Sequence, residues 1–127
     1  MRDVDQKSRG TIEIYIGDPK GHLLQALRNA MLHEGFRATA EFGRIEEVVE
    51  ALKHQCPDVL VLDTGLEDGD VCDLIKKIRN NEIGDNPFVP VIVTTWQPDS
   101  NLVRRVASCG TDAMLIKPIS PGQLFER

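Results

Sequence analysis

Asp18, Asp63, Thr95 and Lys117 are the residues of this chain whose types and positions suit them to act together. Each stands at the end of an apolar stretch. An aspartate can attack phosphorus and form an acyl phosphate. A second carboxylate can help hold Mg²⁺, which prefers oxygen ligands and neutralises phosphoryl charge. A lysine and a hydroxyl can bind phosphoryl oxygens. The set therefore suits the handling of a phosphoryl group. Taken singly, a strand-end Asp is more often a turn former, Thr95 a strand-end residue and Lys117 a solvated one. The convergence of all four carries the reading.

The elements that must position them alternate along the chain. Thr11 to Ile16 alternates apolar and polar residues, as a strand with one buried face does, and Gly17-Asp18-Pro19 breaks it. Leu23, Leu24, Leu27, Met31 and Leu32 recur at helical spacing before Gly35. Phe36 to Phe42 reads as a short strand, and Ile45, Val48, Val49 and Leu52 as the next helical face. Val59 to Leu62 is a continuous apolar run, the pattern of a parallel strand buried on both faces. Val71, Leu74, Ile75 and Ile78 follow as a helix, and Val91 to Val93 as a second fully apolar strand closed by Thr94, Thr95 and Trp96. Pro98-Asp99-Ser100 starts a helix that Gly110 stops. Ala113 to Ile116 is the last strand, and Ser120 begins a final short helix. Five repeats of strand then helix imply a doubly wound parallel sheet with helices on both faces. In such sheets the working crevice lies beyond the C-terminal strand ends, where all four residues fall.

Composition sets the frame. The 127 residues fit one domain, with residues 1–10 as a flexible leader and 11–127 as the folded unit. A net charge of −5 argues against nucleic-acid binding by the domain, because phosphate backbones demand clustered Lys and Arg. Three cysteines, Cys56, Cys72 and Cys109, share no CxxC spacing and read as free thiols. No apolar run approaches the roughly 18 residues needed to span a bilayer. The expectation is a cytoplasmic protein with no membrane partner.

Three segments carry a resemblance: VLVLDTGLEDGDVCDLIKKIR around Asp63, PVIVTT ending at Thr95, and CGTDAMLIKPIS containing Lys117-Pro118. Over residues 11–127 the chain resembles the receiver domain of bacterial two-component response regulators. That resemblance implies a flavodoxin-like (βα)5 fold with strand order 2-1-3-4-5. It implies that Asp63 takes a phosphoryl group from the phosphohistidine of a histidine kinase or phosphotransfer protein, and that the domain then switches a partner or a covalently linked output domain. Mg²⁺ would be held by Asp18, Asp63 and the backbone carbonyl of Gly65. Thr95 and Lys117 would bind the phosphoryl group, and Pro118 would follow a cis peptide bond. Such a domain is a switch rather than an enzyme.

The chain departs from the family pattern at several places. Receivers usually carry two adjacent acids after the first strand, whereas here Asp18 is followed by Pro19. Trp96 stands where a small residue usually follows the hydroxyl, either as a lid over Asp63 or as a packing residue. Met114 replaces the usual aromatic of the last strand, and Glu67 the usual loop proline. The weakened acid site keeps a second reading open, a pseudo-receiver that works without phosphorylation. A haloacid-dehalogenase-like phosphatase would need a second Asp where Gly65 stands.

Overall fold

The structure, a computed structural model, describes residues 12–19, 38–96 and 98–117. The strands are β1 (Glu13–Gly17), β2 (Ala38–Phe42), β3 (Val59–Asp63), β4 (Val91–Thr95) and β5 (Ala113–Ile116). They form one parallel sheet in the order β2-β1-β3-β4-β5, the order that the resemblance implies. The helices are α1 (Ile45–His54), α2 (Val71–Arg79) and α3 (Ser100–Ser108). The leader, the helices expected after His22 and Ser120, and Pro118 lie outside the described residues.

Side-chain alternation sorts the sheet into two buried faces. Leu60, Leu62, Val91 and Val93 point to one side, where they join Val48, Leu52, Leu74, Ile75, Ile78 and Val106 of the helices. Ile14, Ile16, Val61, Ile92 and Leu115 point to the other side and form a second cluster. Both faces are apolar, which is why β3 and β4 read as unbroken apolar runs. β4 runs two residues further than its apolar stretch, because the ladder continues with Asp63 paired to Thr94 and Thr95 to Ile116. A β-branched threonine fits a strand as well as valine does, so hydroxyls do not end one.

An aspartate meets the start of each described helix. Asp70 accepts a hydrogen bond from Cys72 N at 2.8 Å and caps α2, and Asp99 accepts from Leu102 N at 2.9 Å and caps α3. The residue before α1, Arg44, provides no side-chain cap. Asp68, from the loop after β3, reaches across to accept from Ile45 N at 2.7 Å and Glu46 N at 3.0 Å. Those two N–H groups hold the Asp68 carboxyl below the usual range. The loop between β3 and α2 is thus fixed to a helix start on either side.

At the opposite pole Arg79, the last residue of α2, gathers the approaches to β4 and β5. Its Nε donates to Gly110 O at 2.8 Å and its Nη1 to Pro87 O and Val89 O at 2.9 and 2.7 Å. Its Nη2 donates to Asp112 Oδ2 at 2.9 Å, and that oxygen also accepts from Val91 N at 2.7 Å. Only a planar fork with several fixed donors can serve two loops at once through three carbonyls and a carboxylate. Replacing Arg79 by Lys is therefore expected to cost about 1–3 kcal/mol, read as a lower urea midpoint with an unchanged slope. An unaltered midpoint would mean that the fork contributes nothing.

The three cysteines are free, with Cys72 and Cys109 buried and Cys56 half-buried. Burial, with the neighbouring Cys109 thiol, pushes the Cys72 thiol up to about 12 and keeps it protonated. Among the described residues no helix is long and apolar enough to cross a membrane.

Candidate functional site

The alternation that fills the second cluster continues past it. Asp63 lies two residues beyond Val61, Thr94 two beyond Ile92, Lys117 two beyond Leu115, and Asp18 two beyond Ile16. A period of two thus brings all four to one face at the C-terminal edge of the sheet. They are also four of the five buried polar or charged residues described, the fifth being Thr95.

The Lys117 ammonium joins the two acids, with Nζ 2.5 Å from Asp18 Oδ2 and 2.7 Å from Asp63 Oδ1. None of the lysine side chain is exposed, and of the two aspartate side chains only 5% and 4%. Two buried carboxylates against one ammonium leave a single negative charge in the cluster. Asp63 Oδ1 also accepts from Thr94 Oγ1 at 2.9 Å, and Asp63 Oδ2 accepts from Gly65 N at 2.8 Å. Gly65 leaves room for this arrangement, since a Cβ there would stand 2.8 Å from Asp63 Oδ2. That Cβ would also lie 3.6 Å from Pro19 Cγ. The proline ring therefore flanks the site beside Gly65, in the loop where receivers usually have a second acid. Among the described residues no group of three or more His, Cys, Asp or Glu side chains is placed to hold a metal ion.

The sequence points to Thr95 as the hydroxyl of the site, and the structure adds a second hydroxyl, Thr94, directly against Asp63. Thr95 lies on the other side of the pleat, where its oxygen accepts from Thr64 Oγ1 at 3.0 Å. Thr64 follows Asp63 directly, and its backbone N donates to Thr94 O at 2.9 Å, so the end of β3 and the end of β4 are tied twice. Trp96 is not part of either apolar cluster. It is 43% exposed, and the Lys117 ammonium lies 5.4 Å from the centroid of its ring, a cation–π arrangement. Asp70 extends the site toward α3 through an ion pair of 2.8 Å with Arg105. Burial raises the Asp70 carboxyl, but the Cys72 N–H and Arg105 outweigh it and leave the group below its usual range.

Comparison with known proteins gives the same picture. The family model described as the response regulator receiver domain matches residues 14–127. The transcriptional regulatory protein PdtaR of Mycobacterium tuberculosis is 26% identical over 112 residues, which cover 88% of this chain and 52% of PdtaR. The chain spans about half the length of several curated relatives it matches, PdtaR among them. A two-component response regulator from Clostridium difficile superposes with a TM-score of 0.81 at 25% identity, covering 91% of both chains. The receiver domain of a sensor histidine kinase from Pseudomonas aeruginosa, solved with a magnesium ion coordinated in its active-site cleft, superposes at 0.79. It is 19% identical, and the match covers 91% of this chain and 92% of that one. Sequence and fold agree from the first strand onward, and the chain belongs to the response regulator receiver domain family.

Proposed function

We propose that the domain receives a phosphoryl group on Asp63 from the phosphohistidine of a histidine kinase or phosphotransfer protein, and that the modified form switches a partner or a linked output domain. The observation that carries this reading is the Lys117 ammonium held between the buried carboxylates of Asp18 and Asp63. A buried lysine beside a buried aspartate at this edge serves poorly as mere structure, because desolvating three charges costs much of what their attraction returns. It serves well as a seat for a group that arrives with negative charge. An Asp63 oxygen attacks phosphorus, the new O–P bond forms, and the bond from phosphorus to the donor imidazole nitrogen breaks. The electron pair of that bond stays on the imidazole. Lys117 then faces phosphoryl oxygens as well as carboxylates, and Thr95 is the hydroxyl assigned to them.

Asp18, Asp63 and the Gly65 carbonyl are hard oxygen donors and fit Mg²⁺ in kind. With Pro19 beside them they offer one carboxylate fewer than receivers usually do, and the fit is to a weakly held ion. Bound there, Mg²⁺ would offset the charge of the incoming phosphoryl group. The test is incorporation of labelled phosphate from acetyl phosphate, with and without Mg²⁺. Label that is labile to hydroxylamine and dependent on Asp63 supports the reading. Its absence at millimolar Mg²⁺ turns the assignment to the pseudo-receiver, the reading that Pro19 favours.

Trp96 is assigned as a lid. Its exposure and its position over Lys117 suit a ring that covers the crevice rather than one that packs the core. Trp96→Ala is expected to speed phosphorylation by acetyl phosphate while changing stability by less than about 1 kcal/mol. An unchanged rate with a clearly lower thermal midpoint would make it a packing residue.

A further inference from the structure

Thr94 takes no part in the phosphoryl transfer just proposed, yet among the described residues its hydroxyl is the one found on the acceptor. Its side chain is buried, and it donates to Asp63 Oδ1 at 2.9 Å, the same oxygen that Lys117 approaches. A valine would fill the same space on the face of the sheet that carries the second cluster and match the apolar run Val91 to Val93 that precedes it. The hydroxyl therefore adds something that packing does not require.

A hydrogen bond to an ionised carboxylate is stronger than one to a neutral acceptor. When Asp63 carries phosphorus, neither of its oxygens is a full carboxylate oxygen. One is a carbonyl and the other a bridging ester oxygen, and each is a poorer acceptor. Whichever oxygen carries the phosphoryl group, the bond from Thr94 weakens on phosphorylation and recovers on hydrolysis. In hydrolysis a water oxygen attacks phosphorus and the bond from phosphorus to the aspartate oxygen breaks. The electron pair remains on the carboxylate, and the water's proton leaves with phosphate or to solvent. Phosphoryl transfer passes through a loose transition state in which the leaving oxygen has already gained most of its charge. A donor fixed on that carboxylate stabilises the transition state more than the acyl phosphate and so accelerates hydrolysis.

We infer that Thr94 sets the lifetime of the phosphorylated state, acting as a built-in hydrogen-bond donor to the leaving carboxylate. This inference rests on Asp63 being the acceptor. The expected effect of losing one charge-assisted bond in favour of none is an acyl-phosphate lifetime about 5- to 10-fold longer.

The experiment labels the parent chain with acetyl phosphate and Mg²⁺, removes the donor and follows loss of label, then repeats this for Thr94→Val, Thr94→Ala and Thr94→Ser. Thermal midpoints are measured alongside. Longer lifetimes in both the Val and Ala variants with a parent-like lifetime for Ser support the inference. Because Val fills the methyl space and Ala does not, agreement between them separates the hydroxyl from packing. A parent-like or shorter lifetime in Thr94→Val overturns it, as does a Ser variant that decays as slowly as Val. A parent that takes no label removes the acceptor reading itself, and a parent that takes label while the variants decay alike removes this inference alone.

Discussion

Asp63→Asn is expected to eliminate hydroxylamine-labile phosphate from the domain altogether, with no slow residual reaction. An amide oxygen is too weak a nucleophile to displace a phosphoryl donor, and Asp63 is the residue on which Lys117, Thr94 and the Gly65 N–H converge. The fold should tolerate the change. The amide retains an acceptor for Thr94 or Lys117, and removing one negative charge leaves Asp18 and Lys117 as a balanced pair. A stability change within about 1 kcal/mol is expected, the scale of one hydrogen bond. Mass spectrometry of the labelled parent should place the phosphate on the same residue. Label at Asp18 or Asp68 instead would defeat the assignment.

Replacing Lys117 by Met should have the largest effect on stability. The lysine side chain is wholly buried and lies between two carboxylates that are themselves nearly inaccessible. Removing it leaves those two negative charges facing one another with no cation. Breaking a buried pair in this way costs about 3–5 kcal/mol, because the remaining charge has neither water nor partner. Urea denaturation measures the loss. Removing one acid as well, in the Asp18→Asn, Lys117→Met double variant, should recover part of it, since the two sites are in contact and cannot act additively. Mg²⁺ should also raise the midpoint of Lys117→Met more than that of the parent, by binding the native state where the ammonium was. A Lys117→Met chain as stable as the parent would show that the ammonium contributes no net stability to the cluster.

Much of this was legible before the structure, and the reasons differ by element. The runs Val59 to Leu62 and Ala113 to Ile116 declared themselves because a strand buried on both faces has no polar positions to blur it. The faces of α1, α2 and α3 were visible through their spacing, and Asp99 through its place before an apolar period. The strand order came from family resemblance alone, since nothing local specifies which strand lies beside which. Thr94 is hard to see in the sequence because the apolar run stops at Val93 and Thr95 is the hydroxyl that reads as the strand end. Counting by twos from Ile92 would have put Thr94 on the face of Asp63 once the two strands were known to be neighbours. Asp68 and Asp70 act on α1 and α3 across 22 to 35 positions of sequence, so no local pattern could reveal them. The sequence leaves Trp96 open between lid and packing, and its exposure and the ammonium beneath it favour the lid.

The fork of Arg79 gives the sheet a built-in asymmetry. It fastens the loops that lead into β4 and β5 to the end of α2, through three carbonyls and one carboxylate. Those strands resemble two planks bolted to α2 at one end, with Thr94 and Lys117 at the other end, beside Asp63. A push delivered at that end cannot be relieved by sliding the strands along their length, because the bolted end resists. On the proposed function it is expected to pass sideways instead, toward Trp96 at the end of β4 and the start of α3. Phosphorylation of Asp63, as proposed, would thereby be given a direction before any partner is present.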